Sequence, residues 1–305
     1  MLDGRLLDAF LTVAREGSFE RAATVLHLTQ SAVSQRVRAL ETRFGQTLLT
    51  RSRPCLPTGA GQTLLRYLDR IRLLEEEASR ALQGEEAGPS RLRIAVNADS
   101  LHAWFPAVLS EAFADTPYLC ELELDNEDYT HELLAHGEVL GCVSTRPRAM
   151  RGCEAIALGA LRYLCVAAPA FARRYFPRGL DRSTLLKAPA LVYDRKDKLH
   201  NAYLAQEFGI GAEAYPFHLV PSSQAFVDLA RLAFGYVLVP EPTVRTLLAN
   251  GELVDLAPGR PLDMPLYWHA WQIQAPGVEA VFRRIVTGAR QRLRQDEDSV
   301  LGGAR

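Results

Sequence analysis

The sequence predicts an α/β protein with an all-α N-terminal part, and three observations lead to this fold class. Apolar residues recur at helical spacing as far as Gln83. The segment GEEAGPS, residues 84–90, then breaks the helical pattern with two glycines and a proline, as a hinge does. From residue 91 to the end of the chain, short apolar runs alternate with helical patterns, which is typical of α/β domains.

The segment from Ser18 to Gly45 predicts two helices joined by a short break. Ser18 and Thr29 each precede a helical pattern and suit its N-cap. The apolar faces of the two helices are Phe19, Ala22, Ala23 and Leu26 in the first, and Val33, Val37, Leu40 and Phe44 in the second. The second helix also has a polar front suited to base edges and phosphates, made of Gln30, Ser31, Ser34, Gln35, Arg36 and Arg38. A helical hairpin with a solvated polar face has the same periodicity, so the pattern leaves both interpretations open.

The first 60 residues are cationic, although the whole chain is not. They contain eight arginines, no lysine and five acidic residues, for a net charge of +3, whereas the whole chain has 35 basic and 36 acidic residues. This local excess is modest, and it favours an anionic partner for the helical domain.

The long helix predicted at 59–83 has a narrow apolar stripe. Its members recur at spacings of three and four residues: Leu64, Leu68, Ile71, Leu74, Ala78 and Ala81. We expect this stripe to pair with the same helix of a second chain, and packing within one chain is the alternative.

Eight short apolar runs predict strands in the α/β region. They lie at 91–97, 120–124, 139–144, 163–168, 190–194, 218–220, 236–240 and 266–271. Their alternation with helices predicts largely parallel sheets, and the length of about 200 residues favours two small lobes with a cleft between them.

Several classes of protein and site are not expected. No export signal and no run of ~18 apolar residues is present, so we expect a cytoplasmic protein that does not enter the membrane. The sequence has no nucleophile elbow, phosphate loop, dinucleotide motif or metal-ligand set, so we expect no enzyme, no cofactor and no metal. The cysteines are expected to be buried and inert, with a redox-sensing pair as the alternative: Cys55, Cys120, Cys142, Cys153 and Cys165.

The words SFERAA, TQSAVSQRVRALETRFGQTLLTR and PTGAGQTLL resemble the DNA-binding segment of the LysR-type regulators. The resemblance implies a winged helix-turn-helix at 1–58 and a linker and dimerisation helix at 59–83. It implies base contacts from Gln30, Ser31, Ser34, Gln35 and Arg38. In the wing, LLTRSRPCLPTGAG, it implies backbone or minor-groove contacts from Arg51 and Arg53 and a phosphate near Thr58. Ser31 stands where many members have proline, and Leu49 where phenylalanine is usual.

Further words are similar to the arginine- and lysine-responsive branch of that family: AVNADSLHAW, GEVLGCVST, RYFPRG, LLKAP, SSQAFVDLAR and LYWHAW. The resemblance implies an effector-binding domain at 91–305 made of two type-2 periplasmic-binding-like lobes. Lobe I would comprise 91–163 and 267–294, and lobe II 164–266. The implied partners are double-stranded promoter DNA, a second copy in a dimer or tetramer, RNA polymerase, and lysine or arginine in the cleft. The alternatives are another small effector, thiol redox sensing, and a chromosomal DNA-binding protein with little effector control.

Candidate effector contacts lie where strands run into helices. The turn at Asp99 and Ser100 offers free backbone N–H groups and a hydroxyl to an α-carboxylate, and Ser222 and Ser223 begin a second such helix. A basic ligand also needs acceptors. The acids placed to supply them are Asp99, Glu127, Asp128, Asp194 and Asp197, with Asp194 or Asp197 as candidates for the distal cation, and Ser144 is a further candidate contact. We expect the large aromatic residues to be core or lobe-interface residues: Trp104, Tyr163, Trp268 and Trp271.

Overall fold

A computed structural model of the chain describes residues 3–83, 89–125, 127–195, 198–212, 214–272 and 275–295. The chain divides into two compact units, the first made of the residues up to Ser90 with Ala135–Glu138, and the second of Arg91–Leu134 and the residues from Val139 onward. The division at Ser90 coincides with the end of the predicted hinge, of which residues 84–88 lie outside the described residues.

The first unit contains four helices and a small hairpin. The helices are α1 (Gly4–Glu16), α2 (Phe19–Val25), α3 (Gln30–Phe44) and α4 (Gly59–Gln83). Both predicted N-caps are confirmed, since Ser18 accepts a hydrogen bond from the N–H of Arg21 and Thr29 accepts one from that of Ala32. The hairpin between α3 and α4 is closed by an antiparallel bridge of Leu49 to Pro57, and it is the predicted wing.

Apolar residues of α1, α2 and α3 form the core of the helical unit. Phe10, Val33 and Leu40 are fully buried in it. Phe44, predicted on the apolar back of α3, is instead 42% exposed. It lies in the last turn, because α3 ends at Gly45, and the buried residues of α3 all lie in earlier turns.

The stripe on α4 divides in two. Leu64 and Leu68 are buried in the core of the helical unit, so packing within one chain, the alternative interpretation, is correct for them. Ile71 and Leu74 are 46% and 40% exposed, and nothing in the described part of this single chain covers them. The predicted dimer interface is therefore confined to the part of the stripe after Leu68.

The second unit alternates strands and helices. Its strands are β1 (Ser90–Val96), β2 (Tyr118–Leu124), β3 (Gly141–Ser144), β4 (Cys153–Ala167), β5 (Ala190–Val192), β6 (Phe217–Leu219), β7 (Val237–Pro240), β8 (Val254–Asp255) and β9 (Leu262–Trp271). Its helices are α5 (Ala98–Ala103), α6 (Phe105–Phe113), α7 (Glu127–His136), α8 (Pro169–Tyr175), α9 (Arg182–Leu185), α10 (Leu199–Phe208), α11 (Ser223–Arg231), α12 (Glu241–Ala249) and α13 (Pro276–Arg292).

The strands are joined through two long strands, β4 and β9. The strand order of the large sheet is β2-β1-β3-β9-β4-β7, and β8 also pairs with β4. Strands β5 and β6 form a second, two-stranded sheet. A parallel bridge of Ala190 to Tyr236 connects β5 to the residue before β7. The pairs β1/β3 and β5/β6 are parallel, but β9 is antiparallel to β3 and β4, and β4 to β7 and β8. The prediction of largely parallel sheets is therefore wrong, because β4 and β9 run antiparallel through both lobes.

A bulge at Gly159 interrupts the pairing of β4 with β9. The register with β9 shifts between Ala157 and Gly159. Gly159 has a φ of 121°, and a Cβ there would lie 2.5 Å from the carbonyl oxygen of Arg294. Only glycine accommodates both the backbone conformation and this close approach.

The large aromatic residues occupy the interior of the second unit. Trp104, Tyr163 and Trp268 are buried as expected, and Trp271 is half-buried with its indole N–H donating to the carbonyl of Leu134 at 3.2 Å. None of the helices among the described residues combines the length and apolarity needed to cross a membrane.

Candidate functional site

The exposed face of α3 carries a contiguous polar stripe. At about 100° per residue, five of the six predicted front residues fall within one arc of the helix, and they are Gln30, Ser31, Ser34, Gln35 and Arg38. Arg36 is half-buried and lies on the opposite flank of the buried residues, so a contact from Arg36 to DNA is a separate prediction. The stripe presents amides, hydroxyls and one guanidinium, the groups that read base edges and bind phosphates.

The wing holds two arginines at its tip. The N–H of Thr50 donates to the carbonyl of Leu56 at 2.7 Å, and the N–H of Leu56 donates to the hydroxyl of Thr50 at 2.9 Å. These bonds close the loop, and Arg51 and Arg53 are exposed within it. The hairpin therefore positions two cations on a short, hydrogen-bonded loop.

A groove of about 510 Å³ lies between α3, the start of α2 and the wing. It is lined by predicted DNA contacts from both elements, Gln30, Ser34, Arg38, Arg51 and Arg53, and by the acids Glu20 and Glu41. The carboxylate of Glu41 accepts the backbone N–H of Leu48 at 2.9 Å and so serves the fold. None of the three arginines makes an ion pair within the described residues, so the groove keeps its positive charge for an anionic partner.

Glu20 orients the first residue of α3. Its carboxylate accepts hydrogen bonds from the hydroxyl of Ser18 at 2.8 Å and from the side-chain amide of Gln30 at 3.3 Å. The Ser18 hydrogen bond is the main cause that lowers the pKa of Glu20, so this acid is ionised at neutral pH. Glu20 is not among the contacts predicted from the sequence. Its place in the first turn after the Ser18 cap was the signal available.

Thr58 has a structural role in addition to its predicted phosphate contact. Its hydroxyl donates to the carbonyl of Thr47 at 2.6 Å and accepts the N–H of Gly61 at 3.1 Å. Thr58 thus caps α4 and ties it to the segment before the wing.

In the second unit, the helix after β1 begins one to two residues earlier than predicted. Asn97 is the N-cap of α5, and its side-chain oxygen accepts the N–H of Ser100 at 3.3 Å. Asparagine is a preferred N-cap residue, so the sequence carried this signal. The hydroxyl of Ser100 is fully buried and has no hydrogen-bond partner within the described residues.

Asp99 joins the two predicted lobes. One carboxylate oxygen accepts the hydroxyl of Tyr163 at 3.0 Å, and the other accepts the hydroxyl of Ser223 at 2.7 Å. Ser223 begins α11 in lobe II, where Ser222 is the N-cap and accepts the N–H of Ala225. Burial raises the pKa of Asp99, and the two hydrogen bonds oppose that shift. The role of Tyr163 as a donor to Asp99 was not predicted, although its placement at the lobe interface was.

Ser144 and Asp194 are two further predicted effector contacts. Ser144 is fully buried at the end of β3 and accepts the N–H of Arg146 at 3.3 Å. Because β1 and β3 are parallel neighbours, the ends of both strands, and hence Ser144 and Asn97, lie at the same edge of the sheet. Asp194 is half-buried, two residues beyond β5.

Three predicted acids have side chains that the structure does not describe. Glu127 and Asp128 lie in the first turn of α7. Asp197 lies outside the described residues. The structure therefore brings Asp99, Ser100 and Ser223 together and leaves the position of the distal acid as a prediction.

Three of the cysteines lie in environments that disfavour the thiolate. Burial raises the pKa of Cys120 to about 11 and that of Cys142 to about 12, and it also raises the pKa of Cys165. Cys55 and Cys153 are buried. No group of three or more potential metal ligands occurs in the described part of the chain.

Comparisons with known protein families match both units. Residues 5–62 match the family described as bacterial regulatory helix-turn-helix protein, lysR family. Residues 85–290 match the LysR substrate binding domain. Together the two matches span most of the chain.

Individual relatives are similar over nearly their whole length. The HTH-type transcriptional regulator ArgP of Yersinia pestis (strain Pestoides F) is 45% identical over 96% of this chain and 97% of its own. The crystal structure of ArgP from Mycobacterium tuberculosis has a TM-score of 0.88 and 36% identity over 97% of this chain and 100% of its own. The full-length LysR-type regulator LysG of Corynebacterium glutamicum, with its effector Arg bound, has a TM-score of 0.82 and 33% identity over 96% of this chain and 100% of its own.

Proposed function

This chain belongs to the LysR family of bacterial transcription regulators, in the branch of ArgP and LysG, and from that membership we propose that it responds to lysine or arginine. The amino acid would bind between lobes I and II and change how the protein acts at its promoters. The genes controlled would serve the export or metabolism of basic amino acids. The DNA-binding unit would read the promoter through α3 and the wing, as a dimer or tetramer that also contacts RNA polymerase.

One observation carries the proposal: the hydroxyl of Ser100, adjacent in sequence to Asp99, is fully buried and has no hydrogen-bond partner among the residues that the structure describes. A buried hydroxyl without a partner costs free energy, so a ligand that supplies an acceptor is stabilised there. The carboxylate of an amino acid is such an acceptor, and the adjacent carboxylate of Asp99 is an acceptor for its ammonium group. Ser100 and Asp99 therefore present complementary groups to a zwitterion.

The hydrogen bond of Asp99 to Ser223 gives the ligand a way to act on the arrangement of the lobes. A bound ammonium group competes with the hydroxyl groups of Ser223 and Tyr163 for Asp99, and these hydroxyls come from α11 and β4. A ligand shifts a conformational equilibrium only by the difference between its affinities for the two states. The change in contacts at Asp99 is a source of that difference.

The distal positive charge of lysine or arginine needs its own acceptor. Asp194, two residues beyond β5, and Asp197, three positions further along the chain, are the proposed pair, and Glu127 with Asp128 is the next choice. A basic amino acid is distinguished from its neutral analogues when a helix N-terminus binds its α-carboxylate and a protein carboxylate binds its distal positive charge.

Isothermal titration calorimetry of the full-length chain with lysine, arginine and norleucine tests the proposal. Wild type should prefer the two basic ligands. Ser100→Ala should weaken lysine and arginine by about tenfold, the effect of losing one hydrogen bond to a charged group. Ser110→Ala, at an exposed position of α6, is the matched control and should leave the affinity for both basic ligands unchanged. Wild-type affinity in Ser100→Ala would exclude this site.

Replacing both proposed distal acids tests the specificity. Asp194→Asn combined with Asp197→Asn should remove the preference for lysine and arginine over norleucine and leave operator binding without ligand unchanged. If the double variant keeps wild-type affinity for both basic ligands, the distal site lies elsewhere. The thiol environments do not favour redox sensing, and a chromosomal protein with little effector control would show no ligand-dependent change in promoter binding.

A further inference from the structure

A second concave site lies on lobe I, away from Asp99 and Ser100. It is a groove of about 430 Å³ between the first half of β4, the end of β9 and the outer face of α13. Its volume lies within the range of pockets that hold small molecules. None of the residues that join the lobes at Asp99 lines it.

The floor of the groove is apolar. It is formed by Ile156, Trp268, Val278, Phe282 and Val286. The rings of Trp268 and Phe282 pack edge to face with centroids 5.2 Å apart, and both residues are buried. The indole N–H of Trp268 has no acceptor within the described residues. The accessible apolar surface of the groove comes from half-buried Ile156 in the floor and half-buried Trp271 beside it, which a side chain of moderate size can contact.

The rim of the groove carries charges of both signs. Glu279 and Arg283 lie four residues apart on α13, which places their Cβ atoms about 6 Å apart. Neither makes an ion pair within the described part of the chain, and the same holds for Glu154 on β4. Arg290 lines the far end of the groove, where its Nε donates to the carbonyl of Ala157 at 3.0 Å. A carboxylate and a guanidinium therefore flank the apolar floor without neutralising each other.

We propose that this groove binds a zwitterionic amino acid with an uncharged, apolar side chain. Arg283 binds the carboxylate of the ligand, Glu279 and Glu154 bind its ammonium group, and the side chain packs on Ile156 and Trp271. Each polar contact is a charge-assisted hydrogen bond. No acidic side chain lines the apolar floor, so a second positive charge is disfavoured there.

The site shares a strand with the effector cleft. Ile156 in the floor and Tyr163, which donates to Asp99, both belong to β4. The first residues of β4 thus line the groove, and later residues of the same strand contact the cleft. An apolar amino acid in the groove is a second signal, distinct from the basic amino acid proposed for the cleft.

L-Leucine is the probe, and tryptophan emission together with calorimetry is the readout, since two of the three tryptophans, Trp268 and Trp271, line the groove. On the full-length chain, leucine should give a saturable change and measurable heat. The analogue without the ammonium group, 4-methylpentanoate, and the analogue without the carboxylate, isoamylamine, should each bind at least about tenfold more weakly.

Variants locate the binding. Arg283→Ala and Glu279→Gln should each weaken leucine binding by about tenfold. Both residues are exposed and make no ion pair within the described residues, so we expect folding to be unaffected. Arg173→Ala, at an exposed position of α8, is the matched control and should bind leucine as wild type does. Ser100→Ala should keep leucine affinity. The proposal is overturned if leucine gives neither signal, if Arg283→Ala binds it as wild type does, or if Ser100→Ala abolishes its binding.

Discussion

Among single residues, Asp99 combines burial with two hydrogen bonds. Desolvation raises its pKa above the ordinary value of 3.8, so the native state binds the proton more tightly than the unfolded chain does. The stability linked to this proton is fully present below pH 3.8 and is lost as the pH rises from there through the raised pKa. The carboxylate that is poised for a ligand therefore lowers the stability of the free protein at neutral pH.

Replacing this carboxylate should change the pH dependence of folding in a defined direction. In Asp99→Asn, the free energy of unfolding should increase relative to wild type as the pH rises from about 3.8 toward neutrality, because the variant has no charge to desolvate. Urea denaturation at a series of pH values measures the difference.

A second aspartate provides a control of opposite sign. Hydrogen bonds from Ser183 and Thr184 lower the pKa of Asp181, so its contribution is present above pH 3.8 and is lost as the pH falls through the lowered pKa. Asp181→Asn should therefore lose stability at neutral pH relative to acid pH. If the free energy of unfolding depends on pH in the same way for wild type and Asp99→Asn, the pKa of Asp99 is not raised in the native state.

At the scale of elements, we expect α3 and the wing to contribute differently to DNA binding. The polar stripe of α3 is suited to base edges, whereas Arg51 and Arg53 in the wing are suited to the sugar-phosphate backbone. Base contacts increase affinity only for the cognate sequence, whereas phosphate contacts increase affinity for every duplex. The two elements should therefore respond differently to substitution.

Alanine variants distinguish the two roles. Gln30→Ala should cost about 1–3 kcal/mol on an operator and little on random duplex, whereas Arg53→Ala should weaken both and reduce the salt slope by about 1. Fluorescence anisotropy at several salt concentrations measures both quantities. Arg5→Ala, at an exposed position of α1 outside the groove, serves as the control. Equal losses on operator and random duplex for Gln30→Ala would refute base reading by α3.

At the scale of the whole molecule, we expect assembly to depend on the exposed part of the α4 stripe. Ile71 and Leu74 are large apolar side chains open to solvent in the single chain, as expected of an interface between copies. Two recognition helices read two half-sites only when the dimer holds them at a defined spacing. Dimerisation and operator binding should therefore be lost together.

One substitution at the interface and one in the core separate assembly from folding. Ile71→Asp should give folded monomers by light scattering and abolish binding to a two-half-site operator. Leu68→Ala, in the core of the helical unit, should lower stability by about 2–5 kcal/mol and leave the dimer intact. A dimer that persists in Ile71→Asp would show that this part of α4 is not the interface.

The local features of the fold follow from the sequence. The caps at Ser18 and Thr29 and the buried face of α3 depend on residues a few positions apart, and periodicity reports such contacts directly. Seven of the strand predictions overlap β1 to β7, and the eighth overlaps the end of β9. The two-residue strand β8 and the first part of β4 were missed, because short or half-exposed strands lack a continuous apolar run.

The sequence by itself determined the family and the class of most elements, and it predicted which polar residues a ligand or DNA would contact. Only the tertiary structure decided which of them meet one another. The hydrogen-bond partners of Asp99, Tyr163 and Ser223, lie 64 and 124 positions away in the chain. On α4, Leu68 is buried in the core, whereas Ile71 is exposed. Such pairings depend on the antiparallel course of β4 and β9 and on which helices pack together, and no local pattern encodes a contact between residues so far apart in the chain.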